Sequence, residues 1–302
     1  MKVLVKGLGS IAQKHIAAIK LINPSAKIYA LRSNKPSNNI EGVTNIYSLE
    51  EVDSISLDFC IISSPTYSHK TDINHLLKLD IPLFIEKPLY HQLNLDDLLN
   101  NKKLKSIKTY VACNLRFLES LNYVKEHYLS QNSLKIEEVN VYCGSYLPLW
   151  RKNTDYKSIY SANENMGGGV HLDLIHEIDY VYWLFGSPIS TCKRLSSKSS
   201  IDINAVDYAN YLLEYDSFYT SIILNYYRRD SKRTVEIVFD SYTLKVDLIK
   251  NIVYKDNKIV FSSKKNINDT YLSQMNYFMQ NINSTNFNDI FEAFEVLKIS
   301  LG

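Results

Sequence analysis

The sequence predicts an α/β fold class in two parts: an N-terminal doubly wound parallel sheet, then an α+β domain with a large open, mainly antiparallel sheet. Three observations carry this. A glycine turn, Gly7-Leu8-Gly9-Ser10-Ile11-Ala12, follows strand-like Lys2-Val3-Leu4-Val5 and opens an amphipathic helix. The apolar run Ile81-Pro82-Leu83-Phe84-Ile85 is closed by Glu86-Lys87-Pro88, where proline locks the backbone at a strand end. From about residue 114 onward, alternating strand and helix patterns give way to a succession of strand patterns. The expected domains are residues 1–115 and 116–302, the terminal helix being free to pack back on the first.

In the first domain, residues 2–5 form the opening strand. Ile11, His15, Ile16, Ile19 and Ile22 recur at helical spacing until Pro24 stops the helix. Residues 27–31 read as the second strand, and 58–62 as a short buried one ended by Ser63-Ser64-Pro65-Thr66. A helix through Ile73, Leu76 and Leu77 leads to strand 83–85, and 106–113 is the last strand. Such βαβα order makes a parallel sheet with helices on both faces.

In the second domain a helix through Leu118, Leu121, Val124 and Tyr128 leads to strand 136–142. One helix is predicted over 170–185. Strands follow over 205–215, 219–227, 234–240, 243–248 and 258–261, separated by turns such as Asp216-Ser217 and Asp240-Ser241. Helices over 271–282 and 289–300 end the chain.

At 302 residues the chain is long enough for two cores. Its formal charge of +2 supplies no basic field of the kind that marks nucleic-acid binders, so no nucleic-acid partner is expected. No run approaches the roughly 18 apolar residues of a membrane span, and Val3-Leu4-Val5 is too short for a signal peptide. Cys60, Cys113, Cys143 and Cys192 lie far apart without CxxC spacing, so neither a metal site nor a disulfide framework is expected. A reduced, cytoplasmic protein is the simplest reading.

The glycine turn is a dinucleotide site by mechanism. Gly7 permits the tight turn, Gly9 lets backbone N–H groups approach a pyrophosphate, and the helix start at Ser10 and Ile11 favours anionic charge. An NAD-selective site places an acid at the end of the second strand. This chain has Arg32-Ser33 there, which suits a ribose 2′-phosphate, so NADP is expected, with NAD the alternative. An exposed loop arginine would read the same way.

Ligands bind outside the carboxyl ends of strands in open parallel sheets, which puts Lys87 where a nicotinamide would lie. On a continuous helix, Asp173, His176, Glu177 and Tyr180 share one arc, opposite Leu174, Ile178, Val181 and Phe185. That arc sets a carboxylate beside an imidazole whose ordinary pKa suits proton removal at neutral pH. A solvated polar face fits the same pattern. The preceding Gly167-Gly168-Gly169 implies close backbone approach, and His171 reads as a bystander.

On these residues the chain resembles the Gfo/Idh/MocA oxidoreductase family. The matching wording is Gly7 through His15, Ile61 through His69, Glu86-Lys87-Pro88-Leu89, Asn114-Leu115-Arg116-Phe117, and Gly167 through Asp179. The resemblance implies an N-terminal Rossmann domain, a C-terminal sheet that forms an oligomer interface, and NAD(P)-dependent chemistry at a sugar or cyclitol hydroxyl. It implies that Lys87 touches substrate and nicotinamide, with Glu86 in the cofactor turn, and that His176 is the base. The family's aspartate commonly sits four residues before the histidine; here that position is Leu172 and the carboxylate is Asp173. Ser64, Pro65 and His69 match a loop along the nicotinamide, while Asn114 and Arg116 match positions toward substrate.

The wording His176-Glu177-Ile178-Asp179-Tyr180 and Trp183-Leu184-Phe185-Gly186 is similar to members from bacterial surface-polysaccharide and nonulosonic-acid pathways. The expectation is therefore a dehydrogenase or reductase of an amino sugar or nucleotide sugar, acting as a homo-dimer or homo-tetramer. The rivals are a sugar epimerase or glycosidase that keeps its cofactor bound, and a non-catalytic dinucleotide-binding regulator.

Overall fold

The computed structural model of the protein describes residues 1–33, 39–130, 135–284 and 288–302. The chain divides into two compact units: residues 1–113 with 271–297, and residues 114–270 with 298–302.

The first unit is built on a parallel sheet of β1 (Lys2–Lys6), β2 (Lys27–Leu31), β3 (Val43–Ile46), β4 (Phe59–Ile62), β5 (Leu83–Glu86) and β6 (Thr109–Ala112), in the order β3-β2-β1-β4-β5-β6. Every residue of β4, β5 and β6 is buried. Strands covered on both faces read as continuous apolar runs, which is why these three were recognisable without alternation. β3 was not foreseen, because Val43-Thr44-Asn45-Ile46 is short and half-exposed. Helix α1 (Ser10–Ile22) follows β1, α2 (His69–Leu76) follows β4, and α3 (Asp96–Leu99) and α4 (Lys102–Ser106) lie between β5 and β6.

The second unit begins with α5 (Glu119–Val124) and the long strand β7 (Ile136–Tyr146). Two helices follow, α6 (Val170–Asp173) and α7 (His176–Phe185), then strands β8 (Ser190–Ser196), β9 (Tyr208–Glu214), β10 (Tyr219–Asn225), β11 (Tyr227–Phe239), β12 (Thr243–Asp247), β13 (Ile252–Lys255) and β14 (Lys258–Ser262). Their order is β14-β13-β12-β11-β7-β10-β9-β8, antiparallel except where β10 pairs parallel with β7. The predicted fold class holds in both halves.

Ala209, Tyr211, Leu213, Ile222, Leu224, Val139 and Val141 form the buried face of this sheet. Half-buried Tyr142 and Ile223 and exposed Leu212 lie on the other. Several boundaries differ from the expected ones. β8 is a polar, largely exposed strand without alternation, so nothing in its sequence announced it. The predicted strand 219–227 stops at Asn225; Tyr227 starts β11, whose register with β7 shifts between Tyr227 and Lys232.

The last helices are α8 (Asp269–Gln280) and α9 (Ile290–Leu301). Residues 271–297 cluster with the first unit rather than with the sheet that precedes them. The reason is aromatic packing: Phe278 is wholly buried, with its ring 5.1 Å from Phe59 and 5.2 Å from Phe84.

Candidate active site

In the first unit, loops from the ends of β1, β4 and β5 converge where the strand order reverses, the usual ligand crevice of such a sheet. Gly7 has φ +87°, and a Cβ there would lie 2.4 Å from Ser64 N, so only glycine fits. Ser63 fastens the same approach, its Oγ donating to Gly7 O at 2.8 Å. Gly9 is exposed, and a Cβ there would meet nothing within 4 Å. Exposed Ser10 and half-buried Ile11 begin α1, whose first N–H groups have no carbonyl within the helix. An open glycine before such a helix start fits a pyrophosphate.

Ser64 Oγ donates to Asp72 Oδ2 at 2.5 Å, and exposed Pro65 leads into a short turn over Thr66–Ser68. His69 is 1% exposed and spans two loops: Nε2 lies 2.9 Å from Ser64 O, and Nδ1 lies 3.1 Å from Pro88 O and 3.2 Å from Leu89 O. Burial pushes its imidazole pKa down. His69 is thus a brace within the loop expected along the nicotinamide. Glu86, also buried, bonds through Oε1 to His15 Nε2 of α1, while its Oε2 accepts the Lys87 N–H at 3.2 Å. Half-buried Lys87 follows β5 directly and precedes Pro88 through a cis peptide bond.

Arg32 is half-buried just beyond β2, its backbone N–H donating to Ile46 O at 2.9 Å, and Ser33 beside it is exposed. No acidic side chain stands at either position. Asn34, next in the loop, lies outside the described residues.

In the second unit, Gly168 passes so close to another backbone that a Cβ would lie 2.1 Å from Tyr160 O. Gly169 has φ +128°. The close approach implied by the triple glycine is therefore to the chain itself. The continuous helix expected over 170–185 is two helices, because Leu174 leaves helical geometry at φ −99°, ψ 31°. The spacing argument that set Asp173 and His176 on one arc does not apply across that break.

Asp173 is 4% exposed and accepts hydrogen bonds from two tyrosines, Tyr160 Oη to Oδ1 and Tyr226 Oη to Oδ2, each at 2.5 Å. Burial and the Asp173 charge push both phenols well up, which keeps them protonated donors. Neighbouring His171 is pushed down to about 4, chiefly by burial. His176 is 9% exposed and opens α7. Glu177, wholly buried, pairs with Arg233, whose Nε donates to Oε1 at 2.6 Å and Nη2 to Oε2 at 3.1 Å.

Arg116, expected toward substrate, is 1% exposed and holds Asp179 through two bonds of 2.9 and 2.7 Å. Asn114 is likewise buried and donates to Thr270 Oγ1 at 2.6 Å. Both side chains are engaged inside their own unit. Tyr160 and Tyr226 were not singled out from the sequence, and the basic cluster Lys232-Arg233, which reads there as a solvated strand edge or turn, instead sends Arg233 to the buried carboxylate of Glu177. The tyrosines lie 13 and 53 residues from Asp173, separations that no local pattern connects.

Among the described residues no group of three or more His, Cys, Asp or Glu could hold a metal ion, and no helix is long and apolar enough to cross a membrane.

Comparison with known proteins agrees with this architecture. The sequence profile described as an oxidoreductase family with an NAD-binding Rossmann fold matches residues 1–107, and that of the GFO/IDH/MocA C-terminal domain matches residues 135–245. No curated protein sequence matches the chain. Among solved structures, myo-inositol 2-dehydrogenase from Lactobacillus plantarum is 20% identical, covers 99% of this chain and 95% of that one, and has a TM-score of 0.79. WlbA dehydrogenase from Bordetella pertussis, solved with NADH and UDP-GlcNAcA, is 16% identical over 98% and 92%, at 0.78. UDP-N-acetylglucosamine 3-dehydrogenase GnnA from Acidithiobacillus ferrooxidans is 16% identical over 99% and 95%, at 0.76. At such identities the likeness establishes the fold. Two successive profile matches over most of its length show that the chain belongs to the GFO/IDH/MocA oxidoreductase family.

Proposed function

We propose that the protein is an NAD(P)-dependent oxidoreductase that interconverts a sugar hydroxyl and ketone, with an amino sugar or nucleotide sugar of surface-glycan biosynthesis as substrate. The observation that carries this is Lys87 at the carboxyl end of β5, beside the crevice opened by Gly7 and Gly9. A pure sensor of dinucleotides has no use for a cation fixed there. Gly7, Gly9, Ser10 and Ile11 would hold the pyrophosphate, and the Ser64–Pro65 loop would face the nicotinamide half. When bound, the dinucleotide supplies the hydride chemistry. Lys87 donates a hydrogen bond to the substrate oxygen and stabilises charge developing on it. His176 takes the hydroxyl proton during oxidation and returns it during reduction. Asp173, engaged by two tyrosines, holds its segment rather than carrying the proton. Asn114 and Arg116 serve the substrate side indirectly, through the residues they hold, Thr270 and Asp179.

The substrate class is supported by the wording of residues 176–186, and by the UDP-sugars named for two of the similar structures. Arg32 without an acidic neighbour supports NADP over NAD. The sheet face bearing Leu212, Tyr142 and Ile223 supports a homo-dimer or homo-tetramer. Light scattering at micromolar concentration checks the assembly, and a monomeric mass refutes it. The deciding experiment is a panel of nucleotide-linked and free amino sugars, read by reduced-nicotinamide absorbance with either cofactor. Turnover of a free or nucleotide-linked amino sugar establishes the reading. Cofactor binding with no turnover across the panel rejects the proposed substrate class.

A further inference from the structure

Two buried histidines flank the Glu86-Lys87-Pro88 turn, and the chemistry proposed above uses neither as an acid or base. We infer that His15 and His69 are positioning residues that together hold Lys87 in place against the dinucleotide turn. This rests on the reading of Lys87 as the group that meets substrate.

His15 is wholly buried in α1, with its ring edge-on to Phe84 at 4.8 Å and to Tyr271 at 5.9 Å. Its Nδ1 is buried and has no hydrogen-bond partner among the described residues. A proton there would be a buried N–H without an acceptor, so Nε2 is the nitrogen placed to donate, to Glu86 Oε1. The other carboxylate oxygen accepts the Lys87 backbone N–H. Direct contacts therefore run from the helix that begins at the glycine turn, through His15 and Glu86, to the lysine backbone.

His69 braces the opposite side. Its two ring nitrogens face Ser64 O on one loop and the Pro88 and Leu89 carbonyls on the other. The partners on both sides are carbonyl oxygens, so the nitrogen that carries the proton donates on its side, while the ring fills the gap between the β4 loop and the residues just after Lys87. A lysine side chain has a flexible four-carbon stem, so where its ammonium stands depends first on how its backbone and root are held. The two histidines do that from both sides. An apolar core needs neither imidazole, since burying polar groups costs free energy unless each is bonded.

The test uses His15→Leu and His69→Leu, which keep bulk but remove the bonds, and His15→Gln, which retains an N–H toward Glu86. The His15 variants should bind NAD(P)H like the wild type, and His69→Leu, which alters the loop along the nicotinamide, is compared at saturating NAD(P)H. On a substrate found with the sugar panel, each leucine variant should lose roughly 10- to 100-fold in turnover at unchanged KM, the range for a displaced or unsupported active-site group. His15→Gln should recover most of that loss. A second readout needs no substrate: labelling of Lys87 by an amine-reactive reagent, followed by peptide mass spectrometry. Bound cofactor should shield Lys87 in the wild type and in His15→Gln, and less so in both leucine variants. Full shielding in folded leucine variants overturns the inference whatever their turnover, and so does wild-type turnover in both. Unchanged turnover in Lys87→Ala would instead defeat the functional reading, leaving the shielding result to judge positioning. If the leucine variants fail to fold, His15→Asn, too short to reach Glu86, and His69→Asn, too short to span the two loops, take their place, and full shielding with wild-type turnover in both overturns the inference.

Discussion

The two regions assigned to the chemistry are built by opposite means. Around Gly7 and Gly9 the geometry is backbone geometry: a positive φ at Gly7, contact with Ser63 and Ser64, and open space at Gly9. Around residues 167–180 it is side-chain pairing. Tyr160 and Tyr226 hold Asp173, Arg233 holds Glu177, and Arg116 holds Asp179, each of the three carboxylates being buried. A backbone site depends on where small residues stand, so it survives changes in most side chains. A paired site depends on every partner, because removing one leaves a buried charge uncompensated.

The sharpest test of this contrast separates chemistry from cofactor binding. Lys87→Ala and His176→Ala should each bind cofactor normally and lower turnover about 10²- to 10⁴-fold, the usual range for a positioned acid–base group. Asp173→Asn should cost less, as its role is to hold tyrosines. Wild-type turnover in His176→Ala would remove the second region from the chemistry.

The next largest effect is on stability. Arg116→Met leaves Asp179 buried and alone and should destabilise by about 3–5 kcal/mol, measured by denaturant unfolding. A loss under 1 kcal/mol would mean that the pair is not what holds α7.

A third effect is pH-dependent. His171 in the folded chain resists protonation until about pH 4, whereas the unfolded chain takes the proton near its ordinary value of 6.5. Between those limits the unfolded state binds more protons, so stability falls as the pH drops from 6.5 and the loss is complete below about 4. The total should be on the order of 3 kcal/mol. As the pH falls through this window the wild type should lose stability relative to His171→Gln, measured by unfolding at each pH; an equal loss in both would contradict the assignment.

The smallest effect belongs to the backbone-built region, where one side chain tunes the choice of cofactor. NADP(H) should bind more tightly than NAD(H), and Arg32→Ala should remove about 1–3 kcal/mol of that preference, the worth of a charge-assisted hydrogen bond. Equal affinities for the two cofactors in the wild type, by calorimetry, would dismiss Arg32 as a selector.

By itself the sequence determined the parallel sheet, the glycine turn and the placement of Lys87. Each depends on short-range rules: a buried strand is a continuous apolar run, a tight turn needs glycine, and proline limits its neighbour. It also determined that residues 167–180 were unusual, through three successive glycines and a dense set of ionisable groups. Only tertiary structure decided how those groups are used. The tyrosines on Asp173 and the ion pair of Arg116 with Asp179 join residues 13, 53 and 63 positions apart, separations that periodicity does not specify, and the break at Leu174 interrupts a helix that periodicity carries through. β8 and the parallel pairing of β7 with β10 escaped for the same reason. An edge strand has little apolar face to show, and strand order is settled by packing that a linear pattern does not encode.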